Sequence, residues 1–230
     1  MSLRFTLVTS SLGGLADLAF RVHDEALRQV PMQGPLILVC NHVNIWEIPI
    51  YYTHLMPRRI IGMALATRWE NPIIRYIVET VDAIPLKRGE ADIDALRKAL
   101  HRLQEGRIIA IDPEGTRSGT GVLGEGYPGA VLLGAKSGAP LLPVVHYGAE
   151  NYRENMRRLR RSDMIFAVGK LFHVRTDPPP NHETRQLAAD EIMVQLAALL
   201  PEKYRGRYGA LMGKEPKYLA FDTTARGREA

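Results

Sequence analysis

The sequence predicts an α/β fold, a single domain whose mostly parallel or mixed central sheet is flanked by helices. Three observations lead there. Short apolar runs of strand length alternate with segments of helical periodicity, the order expected of strands joined by crossover helices. The 230 residues are 46% hydrophobic and 24% charged, the balance of one globular domain with a substantial core. Neither an internal repeat nor a low-complexity linker divides the chain, and its proline cluster, Pro178 to Pro180, merely precedes the last long helix.

Leu15, Leu18, Ala19 and Val22 recur at helical spacing, so the first segment reads as an amphipathic helix with Asp17 and Arg21 outside. Its apolar side can meet core or membrane. Arg4 followed by Phe5 to Ala16 has the outline of a signal peptide, but Thr6, Ser10, Ser11 and Gly13 dilute the apolar centre. Pro35 to Cys40, between Gly34 and Asn41, suits a strand buried on both faces, and helix signals resume at Ile45. Asp92 can cap a helix with Ile93, Leu96, Leu100 and Leu103 on one side, and Gly106 ends it. Arg107 to Ile111 then makes a second buried strand. Ala130 to Lys136 has helical composition, Leu141 to Val145 and Met164 to Val168 read as further strands, and Asn181 can cap a final helix bearing Ala188, Ile192, Leu196 and Leu199. The expected divisions are an amphipathic N-terminal segment over 1–28, the main domain over 29–205 and a C-terminal tail over 206–230.

Lys and Arg number 30 against 25 for Asp and Glu, a formal +5 that biases the surface toward anionic partners. Cys40 stands alone, so neither an intrachain disulfide nor a thiolate zinc cage can form, and a reducing, cytoplasmic compartment is expected. No apolar stretch approaches the ~20 residues of a spanning helix. His23, His54, His101, His146, His173 and His182 lack metal-ligand spacing, so no metal is expected and none of them is given a role. Nucleic-acid binding has no supporting motif.

Two buried strands end in polar clusters, Asn41 to Glu47 and Asp112 to Ser118, where open α/β sheets place their ligands. His42 and Glu47 are five apart, so they can meet only if His42 precedes the first helical turn. Glu47 would then fix the imidazole tautomer and leave the other ring nitrogen as a general base. By spacing alone, a satisfied strand-end histidine and an exposed helical glutamate are the favoured account. Glu114, Gly115, Thr116, Arg117 and Ser118 combine close backbone approach, hydroxyls and a guanidinium, which suits a phosphate ester, although the same residues describe a tight surface turn.

Taken together, the two clusters resemble the glycerolipid acyltransferase family, typified by 1-acylglycerol-3-phosphate acyltransferases, over roughly residues 20 to 205. Asn41, His42 and Glu47 match its first block, and Pro113 to Ser118 match its third in full. The second block falls at Asp82 to Arg88, where Leu86 and Arg88 fit, and the fourth at Ala139 to Val144. Glu47 stands where aspartate is commoner, Asp82 and Pro85 replace a glycine and an aromatic, and Gly126 to Pro128 replace the usual lead into Gly129. The resemblance implies acyl transfer from acyl-CoA or acyl carrier protein to the hydroxyl of a lysophosphatidate-type acceptor, without a cofactor. It makes His42 the base, Glu47 its partner, Arg88 and Arg117 the phosphate ligands, and Glu114, Gly115 and Thr116 the walls of that pocket. Other lysolipids, amino-acid or sugar lipids, and non-catalytic lipid or phosphate binding are the alternatives. Peripheral contact with anionic membrane is expected through the first helix or the run Arg153, Arg157, Arg158, Arg160 and Arg161, which equally suits a solvated helix face.

Overall fold

The computed structural model describes residues 3–87 and 92–221. Their strands form one nine-stranded mixed sheet, ordered β1-β7-β6-β2-β5-β3-β4, with β8 on β6 and β9 on β8. The centre is β2 (Leu36–Cys40), buried at all five positions and parallel to both β5 (Ile108–Ile111) and β6 (Leu141–Tyr147). Such strands have no solvent face, which is why their sequences are continuous apolar runs rather than alternating ones. Beyond β5 lie β3 (Ile60–Leu65) and β4 (Ile84–Leu86), also parallel. On the other side β7 (Ser162–Val168) runs antiparallel to β6, and β1 (Phe20–His23) closes that edge parallel to β7. The α/β domain with a mixed sheet flanked by helices is therefore as expected.

Helices cover both faces. Helix α4 (Ile93–Gln104) starts where Asp92 accepts a 2.9 Å hydrogen bond from the Ala95 amide and stops at left-handed Gly106, φ 74°. Its buried side is Ala95, Ala99 and Leu103, while Ile93 is exposed and faces a cavity. Helix α5 (Gly129–Ser137) and α7 (Thr184–Leu199) lie on the same side, α7 through the expected Ala188, Ile192 and Leu196, and the short α6 (Tyr152–Arg157) lies between β6 and β7 in the chain. Asn181 Oδ1 accepts from the Thr184 amide at 2.9 Å just ahead of α7.

The N-terminal segment departs from its reading. Helix α1 (Leu3–Ala19) buries Phe5, Thr9, Gly13, Ala16 and Ala19, and Leu15 and Leu18 point outward. Val22 belongs to β1, so the chain leaves the helix for the sheet within this segment. The cause is close helix packing. A Cβ on Gly13 would lie 2.5 Å from Thr53 Cγ2 of α2 (Glu47–His54), so small residues must face the neighbouring helix and the leucines are left outside. Of the expected tail, the described residues 206–221 likewise pack on the domain. Tyr208 is fully buried with its hydroxyl accepting from the Gly126 amide at 2.9 Å, and β9 (Leu219–Phe221) pairs with β8 (Phe172–Val174).

The site is positioned by three adjacent strand ends. Register pairs Val39 with Ile111 and Cys40 with Val144, so the residues after β2 meet those after β5 and those near the end of β6. Asn41 continues the sheet with its side chain. Its amide donates to the His146 carbonyl and accepts from the His146 N–H, each at 2.9 Å, at a position 1% exposed. Asn41→Ala leaves both buried backbone groups unpaired, at about 1–3 kcal/mol each. The expected loss of at least ~2 kcal/mol lowers Tm by roughly 4–8 °C in a domain of this size, measurable by calorimetry. An unchanged melting curve would show that the amide pair adds nothing to the β2–β6 junction.

Candidate active site

Asn44 prepares the helix that carries Glu47. Its side-chain oxygen accepts from the Trp46 amide at 2.8 Å, bending the chain so that α2 begins at Glu47 with His42 still outside the first turn. Glu47 then points back into the protein, where it is 2% exposed. One carboxylate oxygen, Oε1, hydrogen-bonds His42 Nδ1. The other, Oε2, accepts from the Asn44 amide at 3.0 Å and lies 3.0 Å from His146 Nε2. Burial alone would raise the Glu47 pKa, but His146 and His42 together hold it down at about 2. The carboxylate is therefore an anion throughout the neutral range.

His42 uses Nδ1 on Glu47 and lines the larger of two cavities, about 630 Å³, with the ring 16% exposed. No protein group is bonded to Nε2 among the described residues. Burial disfavours the imidazolium, yet the Glu47 hydrogen bond and the charge of Asp112 outweigh burial and the opposing charge of Arg117. The net pKa is raised above 6.5. The geometry is that of an oriented general base.

The second cluster is zipped onto the first. The Ser118 amide donates to the His42 carbonyl at 2.8 Å and the Gly119 amide to the Val43 carbonyl at 3.2 Å. Gly115 closes an Asp112–Gly115 turn through a 3.0 Å backbone bond at φ 61°, a left-handed conformation that favours glycine. Gly115, Thr116 and Arg117 are exposed and line the larger cavity beside His42. Glu114 does not. Its buried carboxylate accepts from the His42 amide at 3.1 Å and the Gly124 amide at 2.7 Å, and it lines neither cavity. The expectation that Glu114 walls a phosphate pocket is thus corrected, for a buried anion bound to two backbone donors braces the loop. Arg88 lies outside the described residues.

Two further charged groups escaped the sequence reading as site residues. Asp112 sits 3.8 Å from His42 Nδ1 and lines both cavities. It keeps 34% of its side-chain surface open, but burial of the rest and the nearby Glu47 and Glu114 carboxylates outweigh the histidines, pushing its pKa up to about 7. Arg68, in the 3-10 turn Ala66–Glu70, also lines both cavities and has no ion-pair partner among the described residues. The second cavity, about 330 Å³, is walled by Leu12, Trp46, Tyr51, Ile74 and Val78 and shares Ile45, Ile48 and Met63 with the first. The pair is thus polar at His42 and apolar beyond Asp112.

A mixed α/β sheet whose strand ends bring a paired histidine and glutamate beside a Gly-Thr-Arg turn is the arrangement the site presents. The family model described as Acyltransferase matches residues 20–147, more than half of the chain, and the chain belongs to that family. It is 29% identical over 133 residues to the 1-acyl-sn-glycerol-3-phosphate acyltransferase LPAT1, chloroplastic, of Arabidopsis thaliana, covering 56% of this chain and 36% of that protein. The 1-acyl-sn-glycerol-3-phosphate acyltransferase of Bacillus subtilis (strain 168) is 24% identical over 147 residues, 63% of this chain and 70% of that one. An Arabidopsis thaliana N-acylphosphatidylethanolamine synthase is 29% identical, with 56% and 51% covered. The chain spans little more than a third of the two chloroplast relatives' length. The crystal structure of the 1-acyl-sn-glycerophosphate acyltransferase PlsC from Thermotoga maritima superposes with a TM-score of 0.60 at 20% identity, over 88% of this chain and 82% of that one, a likeness of fold. The resemblance carried by Asn41, His42, Glu47 and Pro113 to Ser118 is borne out at the level of the family.

Asp112 generates a prediction. Because its negative charge raises the His42 pKa, Asp112→Asn lowers that pKa. The neutral base is lost as pH falls through the His42 pKa, so in kcat/KM the acid limb moves to lower pH, while Asp112→Glu leaves it in place. An unmoved limb in a pH–rate profile would mean that the Asp112 charge does not reach His42.

Proposed function

We propose that the protein transfers a fatty acyl group from acyl-CoA or acyl carrier protein to the free hydroxyl of a lysophosphatidate-type acceptor. The observation that carries this reading is His42, held by Glu47, in a cavity that also contains Thr116 and Arg117 and opens into an apolar one. The names of the chloroplast and Bacillus relatives support the acceptor. His42 Nε2 takes the hydroxyl proton as the oxygen attacks the thioester carbonyl, and the Glu47 anion stabilises the imidazolium. Collapse of the tetrahedral oxyanion expels the thiolate, which recovers the proton from His42. Arg117 and Thr116, with Gly115 and Arg88, bind the acceptor phosphate, and the apolar cavity takes an acyl chain. The steps need neither a metal nor a cofactor.

A second acceptor reading has an observation of its own. Asp112 places a carboxyl in the cavity, which suits a headgroup carrying a hydroxyl or amine donor, and one relative is named for making an N-acyl lipid. Thiol release from palmitoyl-CoA, measured with lysophosphatidate, lysophosphatidylethanolamine and an amino-acid lysolipid, separates the two. His42→Ala should lower turnover by at least ~10²-fold in a folded protein, and Glu47→Gln should be severely impaired. Arg117→Ala should raise the acceptor KM by about ten- to hundredfold, with the donor KM little changed. Unaltered turnover in His42→Ala rejects the mechanism.

We place the work of the enzyme in the cytoplasm, at the surface of an anionic membrane. Among the described residues no helix is long and apolar enough to cross a bilayer. Helix α1 instead exposes Leu3, Leu7, Leu15 and Leu18, and α3 (Pro72–Thr80) exposes Ile73 and Tyr76, next to the residues through which both helices line the apolar cavity. Arg161 is spent internally, donating to the Asp17 and Phe20 carbonyls of α1 and β1, and Arg158 pairs with Glu154. Leu7→Asp with Leu18→Asp should abolish pelleting with anionic vesicles at low and high salt, whereas charge reversal at Arg157 and Arg160 should weaken it only at low salt. Wild-type pelleting by the leucine variant rejects α1 as the docking face.

A further inference from the structure

His146 is a buried histidine that this proton transfer leaves without a role. It is fully buried on β6, and its Nε2 lies 3.0 Å from Glu47 Oε2, off the line of an ideal hydrogen bond. Its Nδ1 meets no hydrogen-bond partner. An imidazole is a poor filler for a strand position that follows Val144 and Val145, because a buried polar group without good hydrogen bonds destabilises the fold. The residue is nevertheless fixed at both ends. Asn41 clamps its backbone N–H and carbonyl, and the ring packs against Phe166 with centroids 5.8 Å apart. The charged groups facing it are Glu47 from α2, Asp112 from the end of β5, and His42 across the Glu47 carboxylate.

We propose that His146 is a positioning residue that holds the second oxygen of Glu47, so that His42, Glu47 and His146 act as one unit. The terminal torsion of a glutamate is broad, so a carboxylate gripped through one oxygen rocks and carries its partner imidazole with it. Here Oε1 meets His42, while Oε2 is met by the Asn44 amide from the loop and by His146 from the sheet. The sheet-side contact ties the carboxylate to a strand that the Asn41 clamp makes rigid. Aim matters because a displacement of the order of 1 Å in a reacting group can cost ~10²-fold in rate. His146 touches no substrate; it acts through Glu47.

The inference rests on the reading of His42 as base and Glu47 as its partner, and the test keeps the two apart. Turnover and both KM values are measured for His42→Ala, Glu47→Gln, His146→Phe, His146→Gln, His146→Asn and the double variant His146→Phe with Glu47→Gln, alongside melting curves. His146→Phe keeps the ring stack and loses the N–H, and is expected to lower kcat by about ten- to hundredfold with both KM values nearly unchanged. The double variant should be no slower than Glu47→Gln alone, because both changes break one unit. His146→Gln, whose amide reaches where Nε2 lies, should recover part of the turnover, and the shorter His146→Asn should not. Wild-type kcat in His146→Phe, or single-variant losses that multiply in the double variant, overturns the proposal. Should His146→Phe fail to fold, equal turnover of the Gln and Asn variants overturns it and a clear advantage of Gln supports it. Active His42→Ala and Glu47→Gln variants would instead reject the base reading itself.

Discussion

The rest of the structure depends on one buried negative charge. Placing the Glu47 carboxylate in the interior is costly unless each oxygen is met by donors or cations, and the protein meets them from two separate stretches of chain. His42 follows β2, Asn44 belongs to the loop that starts α2, and His146 sits on β6. Those partners converge only if β2 and β6 are neighbours in the observed register and α2 begins no earlier than Glu47. The strand order and the helix start are in this sense conditions for ionising one side chain. The longer reach of glutamate also suits the arrangement, since its carboxylate spans from His42 on one oxygen to the sheet on the other.

The same economy of contacts shapes the neighbouring loop. Glu114 is a second buried anion, satisfied by the amides of His42 and Gly124, and it splints the Pro-Glu-Gly-Thr-Arg-Ser turn against the Asn-His segment. With Glu114 turned inward, the groups left facing the cavity are the glycine, the threonine and the arginine, which carry donors and positive charge. One motif thus divides its work: one residue fastens the loop and the others present it. Asp112 and Arg68 stand where the polar and apolar cavities join, the place an amphipathic substrate would change character.

Sequence alone made the interior strands and the late helices legible, because β2, β5, β6 and α7 are long apolar patterns whose burial dominates local choice. It was blind to β3 and β4, where Gly62, Met63 and Ala64 blur the pattern and β4 has three residues with a proline among them. It inverted α1. Periodicity favours large residues as the buried face, whereas close packing on α2 demands small ones, and Gly13 against Thr53 decides the outcome. His42 and Glu47 were readable because they are five residues apart and joined by one turn of loop. His146 was not, since its relation to Glu47 exists only through strand pairing between segments about a hundred residues apart. Glu114 was misread because a motif shows which residues cluster but not which way each side chain turns.

Two carboxyls beside one histidine have been driven in opposite directions. Glu47 is held at about 2 by two imidazoles that outweigh its burial, while Asp112 is pushed to about 7 by burial and by two other acids close by. Separation of this kind assigns different tasks to chemically similar groups. Glu47 is a permanent anion, fit to orient His42 and to stabilise its charged form at any neutral pH. Asp112 gains or loses its charge near neutral pH, and because its charge raises the His42 pKa while an imidazolium lowers its own, protonation of either changes the field felt by the other. Fold and chemistry then meet in one requirement. Removing a partner of Glu47 would strand a buried charge, at about 3–5 kcal/mol for a buried pair, and would release the ring that the charge aims. The aim of the His42 ring and the stability of the strand junction rest on the same few contacts.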